Sequence, residues 1–219
     1  GHRKTAERMG HLDPAAMQAR VSSGAMRELL AGWDFAGIQI TPPTTLIEDR
    51  MALNLDGIDV ELIYVGPAHS IGDVIAHLPK QRIVFTGDIL FQMCTPIGWE
   101  GTYAKWSEAL DFVVSLEPEI VVPGHGPLCS AEGPREMKRY LEYVRAESKT
   151  FFDRGLSVYE AAKRIDVGPF AEWTEPERVV LNIGRAYREF EGKAYAAPMD
   201  PDAGLPTILR LRQERSFGS

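Results

Sequence analysis

Three short runs of β-branched and aromatic residues in the middle of the chain each stop at a glycine-containing turn. Each of these turns carries one side chain able to bind a metal ion. Ile63-Tyr64-Val65 stops at Gly66-Pro67, just before His69. Arg82-Ile83-Val84-Phe85-Thr86 stops at Gly87-Asp88, and Glu119-Ile120-Val121-Val122 stops at Pro123-Gly124-His125. Runs of this length and composition read as strands. Strands of one sheet that end in such loops can bring their polar residues to a common edge. The chain is therefore expected to contain a sheet with a functional edge, and the other elements have to fit around it.

Met51-Ala52-Leu53-Asn54-Leu55 and Ile58-Asp59-Val60-Glu61-Leu62 flank Asp56-Gly57, a pair suited to a two-residue hairpin turn because both positions need positive φ. Asp13-Pro14 marks a helix start, with Asp as cap and Pro in the first turn. Met17, Val21, Met26 and Leu29 suggest its apolar face, weakened at Ser22-Ser23-Gly24. Trp106, Ala109, Leu110 and Val113 recur at helical spacing, as do Met137, Leu141 and Val144 in a long helix expected from about Ala131 to Lys149. Ser157-Val158-Tyr159-Glu160 and Thr174-Glu175-Pro176-Glu177 both read as capping boxes. The second should open a helix with Val180, Ile183, Tyr187 and Phe190 on one face, stopped at Gly192. The tail from Tyr195, with Pro198, Pro201 and Pro206, is expected to wrap a surface or a partner subunit.

Composition excludes several classes. Lysine and arginine total 24 against 31 aspartate plus glutamate, a net charge of −7, which disfavours binding to nucleic acid through its phosphates. No apolar stretch approaches the roughly 20 residues of a membrane helix, and no signal peptide is visible, so a cytoplasmic setting is expected. Cys94 and Cys129 are too few for a disulfide scaffold and read as reduced thiols.

Taken singly, a histidine at a strand end is more often a hydrogen-bonded loop residue than a ligand. Here the three segments come as an ordered set: Gly66-Pro67-Ala68-His69-Ser70-Ile71-Gly72-Asp73, Phe85-Thr86-Gly87-Asp88-Ile89-Leu90-Phe91 and Val122-Pro123-Gly124-His125-Gly126-Pro127. In this order and spacing they closely resemble the third, fourth and fifth metal motifs of the metallo-β-lactamase superfamily, over most of the chain. The resemblance implies an α+β fold, an αββα sandwich with a two-metal site at one edge. It implies His69 on the first metal, Asp88 bridging both and His125 on the second. Zinc suits these donors, and iron or manganese can use the same set. Asp88 is the residue closest to the chemistry, since only a carboxylate among the three can span a metal pair. Asp73 is expected to support the site without ligating. The implied reaction is attack by a metal-activated hydroxide on the carbonyl of a small-molecule thioester, lactone or amide.

The family's first motif, H-x-H-x-D-H, does not occur in this sequence. The chain reads as the C-terminal portion of such a protein, a truncated metallo-β-lactamase-like domain over residues 1–149 followed by a helical extension and tail over 150–219. Two ligands per metal, one shared, fall short of the three that catalytic zinc normally takes. This chain alone is therefore expected to be metal-poor, inactive and unstable, with open sheet edges favouring a homo-oligomer or a separate N-terminal fragment as partner. The alternative is a non-catalytic binding or structural relative with a degenerate site. A di-iron redox centre with a flavin-binding partner domain is a third option, though no flavin site is evident. His77 reads as a partly buried strand residue, His11 as part of the helix-start segment and His2 as a mobile terminal residue. Trp99 and Tyr103 are expected either to rim the pocket or to pack against the Trp106 helix.

Overall fold

The computed structural model describes residues 1–21, 24–29, 33, 37–193 and 201–216. Five strands form one sheet in chain order: β1 (Arg50–Leu55), β2 (Ile58–Tyr64), β3 (Val74–Leu78), β4 (Ile83–Phe91) and β5 (Ile120–His125). The first four are antiparallel neighbours. β5 joins β4 in parallel, which requires the crossover supplied by α4 (Tyr103–Ser115). Leu55 pairs with Ile58, so Asp56 and Gly57 form the whole turn, at φ 50° and 89°.

One face of the sheet makes the core. Ile63, Ile75, Val84 and Val121 are buried there, under Trp106, Leu110 and Val113 of α4 and Met137, Leu141 and Val144 of α5 (Glu132–Asp153). Both predicted helical stripes face inward. α6 (Val158–Arg164) opens on the predicted capping box, Ser157 accepting from the Glu160 backbone while the Glu160 side chain accepts from that of Ser157. α7 (Val179–Phe190) packs Val180 and Ile183 into the same core. The expected boundary at 149/150 lies inside α5, and the helices beyond it share its core.

The opposite face is apolar and only partly covered. Cross-strand neighbours Met51, Leu62, Ala76, Phe85 and Val122 run across it. Leu53, Leu55, Ile58, Phe85 and Ile120 are exposed. The alternation read in β1 thus directs its apolar side away from the helices.

Several expectations need correction. Residues Arg3–Gly10 form a helix, α1, whose charged composition gives no apolar stripe to read. His2 is not mobile: it is 4% exposed, stacks on Tyr64 at 3.9 Å, and its Nδ1 accepts from the Lys4 backbone as the cap of α1. Asp13 does cap α2 (Pro14–Val21), accepting from Ala15 N. Of the expected apolar face, Met17 lies exposed on α2 and Met26 is partly buried against the core on α3 (Gly24–Leu29), while Ser22 and Ser23 lie outside the described residues.

β4 does not stop at Gly87-Asp88 but continues to Phe91 through a register shift, with Gly87 at φ 51°. A bulge lets a strand bend and re-aim one side chain without ending its pairing. Thr174-Glu175-Pro176-Glu177 makes no capping box. Glu175 takes a left-handed conformation before a 3₁₀ turn and pairs with Arg178, while Thr174 bridges to Cys94. The tail does not simply wrap: residues Pro201–Ser216 form α8, which buries Leu205, Ile208 and Leu211 against the chain's own core. Residues 194–200, which include Pro198, lie outside the described set. Both cysteines are free thiols, and no helix among the described residues is long and apolar enough to cross a membrane.

Candidate metal centre

His69 lies in the loop after β2, Asp88 on the bulged part of β4 and His125 at the end of β5. The structure brings all three together around the Asp88 carboxylate. Its Oδ2 lies 3.4 Å from His69 Nε2 and its Oδ1 lies 3.4 Å from His125 Nε2. Each imidazole therefore meets a different oxygen of the same carboxylate. This arrangement depends on Gly124, where a Cβ would stand 2.2 Å from Asp88 Oδ1 and 2.6 Å from the Gly87 carbonyl carbon. Any side chain there would push β5 away from β4.

His69 is oriented from behind. Its Nδ1 donates to the Ile97 carbonyl at 2.5 Å, which turns Nε2 toward Asp88. Phe91 stacks on the His125 ring at 4.5 Å and lies 5.8 Å from the His69 ring, so it walls the site between the two imidazoles. Trp106 meets His69 edge-on from the core side. The His69 side chain is mostly buried, whereas Asp88 and His125 remain open to an incoming molecule.

Asp73 does not reach the three residues but ties the loop that carries His69. Its carboxylate accepts from Ala68 N at 2.8 Å, from Ser70 N at 2.9 Å and from Ser70 Oγ at 2.5 Å. Burial pushes its carboxyl above the usual range, partly offset by these hydrogen bonds. A cavity of about 420 Å³ opens beside the centre, lined by Thr5, His69, Ser70, Asp73, Thr86 and Asp88 among others. Tyr103 does not rim it: its hydroxyl donates to the Asn182 carbonyl inside the core. His77 is buried in β3, 3.4 Å from Glu61 and apart from the centre.

Two donors about 2.0–2.1 Å from a tetrahedral ion stand about 3.3–3.4 Å apart, which matches both His–Asp separations. The type and spacing of the donors fit two positions sharing one carboxylate. Among the described residues each position would draw two donors, and no three His, Cys, Asp or Glu side chains close on a single ion.

The family model for the metallo-beta-lactamase superfamily matches residues 4–125, more than half of the chain and inclusive of all three residues. The chain belongs to this superfamily. It is 30% identical over 107 residues to a metallo-beta-lactamase type 2 of Bacteroides fragilis, covering 46% of this chain and 43% of that protein. It is 31% identical over 84 residues to a probable hydroxyacylglutathione hydrolase of Schizosaccharomyces pombe, covering 36% and 32%. A 2,4-dinitroanisole O-demethylase subunit alpha of Nocardioides shares 28% over 88 residues, covering 40% and 27%. The chain thus spans less than half the length of these relatives. Among solved structures, a metallo-beta-lactamase family protein of Thermus thermophilus superposes with a TM-score of 0.57 at 16% identity, over 87% of this chain and 66% of that one. This likeness supports the fold alone.

Residue-by-residue reading of the sequence missed the parts of the candidate site that act through backbone or packing. The Ile97 carbonyl has no side-chain signature. Phe91 is one more apolar residue in a strand. Glu100, buried and accepting from Ile71 N at 2.7 Å, sits in a loop that carried no motif.

Proposed function

We propose that the chain carries the carboxylate-bridged part of a two-metal hydrolase centre, with His69, Asp88 and His125 as ligands and zinc as the metal. The observation that carries this reading is the Asp88 carboxylate, which offers each of its oxygens to a different imidazole nitrogen at 3.4 Å. A structural role for Asp88 would not need two histidines held at matching separations on opposite oxygens. When bound, the metals would supply Lewis acidity and an acidified water to a carbonyl substrate, as in thioester, lactone or amide hydrolysis. His69, anchored through Nδ1 on Ile97, would present Nε2 as a donor of fixed direction. Asp88 would hold the two positions at one spacing. Phe91 and Trp106 close the inner side, so a substrate enters from the cavity where Thr5 and Ser70 can orient it.

A second reading, a non-catalytic relative, is favoured by one observation: each metal position draws only two donors from the described residues. Zinc competition against a coloured chelator separates the two. The hydrolase reading expects zinc binding that falls at least about tenfold in each of His69→Ala, Asp88→Ala and His125→Ala. It also expects hydrolysis of a thioester, lactone or β-lactam panel that needs the same residues. Zinc affinity unchanged by all three substitutions would overturn it.

A further inference from the structure

The segment 97–101 braces the His69 loop at four points. Ile97 O accepts from His69 Nδ1 at 2.5 Å, and Trp99 N donates to His69 O at 2.8 Å. Gly101 N donates to Ala68 O at 3.1 Å, and the Glu100 carboxylate accepts from Ile71 N at 2.7 Å. The brace is close-packed: a Cβ on Gly101 would stand 2.2 Å from Ala68 O and 2.4 Å from Ala68 Cα.

Something must hold the brace in turn, and most of that hold comes from α7, more than 80 residues away in sequence. The Arg185 guanidinium is buried, 5% exposed, and donates to the Gly101 carbonyl through Nε at 2.6 Å and through Nη2. Glu189, one turn further on, lies 3.9 Å from Arg185 Nε and accepts from Tyr103 N at 2.8 Å. On the other side, Arg8 of α1 pairs with Glu100. Burying a guanidinium is costly unless its donors are used. A helix position needed only for packing is filled better by Leu or Met, so the cost points to the Gly101 contact.

We propose that Arg185 is a positioning residue for the metal centre: its grip on the Gly101 carbonyl sets the 97–101 segment, which orients His69. The helical region after β5 thereby takes part in building the site as well as the core. This rests on His69 being a metal ligand, and the experiment separates the two claims.

Zinc affinity by chelator competition and the visible spectrum of the cobalt-substituted chain are measured for wild type, Arg185→Lys, Arg185→Met, Gly101→Ala, His69→Ala and Ile183→Ala. The apolar side chain of Ile183 is fully buried in α7 and cannot hydrogen-bond to the brace, so its truncation reports general destabilisation. Arg185→Met and Gly101→Ala are expected to weaken zinc binding about tenfold, the scale of a lost supporting contact, and to shift the cobalt bands. Arg185→Lys, which keeps one donor, should fall between these and wild type. Ile183→Ala should lower the unfolding midpoint yet leave zinc affinity within about twofold of wild type. The proposal is overturned if Arg185→Met binds zinc like wild type, or if Ile183→Ala loses as much as Arg185→Met. Should Arg185→Met not fold, Arg185→Lys and Glu189→Gln decide by the same criteria. Wild-type zinc affinity in His69→Ala would sink the ligand assignment itself, whereas loss there with intact Arg185 variants would sink only the positioning role.

Discussion

Replacing Asp73 by alanine removes the acceptor shared by three donors of the His69 loop: Ala68 N, Ser70 N and Ser70 Oγ. Each buried donor left without its acceptor costs about 1–3 kcal/mol. The loop is half-buried, so water recovers part of the loss, and the contacts are not additive. A destabilisation of about 2–4 kcal/mol follows. Asp73→Asn retains one acceptor oxygen and avoids burying a charge, so it should cost only about 1 kcal/mol at neutral pH. The pH dependence has a definite sign. Burial holds the Asp73 carboxyl above its usual range, so the folded state binds the proton more readily than the unfolded state. Its contribution is therefore fully present below the unfolded value and is lost as pH rises through the folded one. The advantage of wild type over Asp73→Asn should shrink from acid toward neutral pH. Urea unfolding followed by far-UV circular dichroism, with an unchanged m value, gives each difference. An Asp73→Ala protein within about 0.5 kcal/mol of wild type, the range of an ordinary surface change, would refute the reasoning. So would an advantage over Asn that widens with pH.

Other perturbations probe the remaining contacts. Gly124→Ala must drive β5 off Asp88 and Gly87; overpacking of this kind costs about 1–3 kcal/mol, read by urea midpoint, and zinc affinity should fall with it. A variant unchanged in both would show that the close approach at Gly124 is dispensable. Burial pushes the Cys129 thiol up to about 11 and also raises Cys94, so at pH 8 both should react with iodoacetamide at least about tenfold more slowly than in denaturant; equal rates would contradict their burial. On the open sheet face, Phe85→Ser with Ile120→Thr should lower binding of the dye ANS and any self-association while leaving the thermal midpoint nearly unchanged. A large drop in that midpoint would mean that these side chains are packed.

What could be read from the sequence followed local rules. The Asp56-Gly57 turn, the Ser157–Glu160 capping box and the inward stripes of α4 and α5 depend on backbone preference and helical periodicity, which are written in adjacent residues. His69, Asp88 and His125 stood out for a related reason, since their order and flanking glycines survive as a linear pattern, and the structure shows them meeting at one carboxylate. The remaining features were decided by tertiary contact. His2 looked mobile because burial by Tyr64 is set 62 positions away, and α1 carries no apolar stripe to announce it. β4 runs past Gly87 because β5 continues to pair with it, and a bulge leaves no distinctive composition. Thr174-Glu175-Pro176-Glu177 matches a capping pattern, yet the bridge to Cys94 and the ion pair with Arg178 claim those residues first. Arg185 reads as one arginine on a helix, and only the folded chain lays its guanidinium against Gly101 and so connects it to His69. Local propensity determined which side chains could serve a metal centre here; long-range packing decided how they are held.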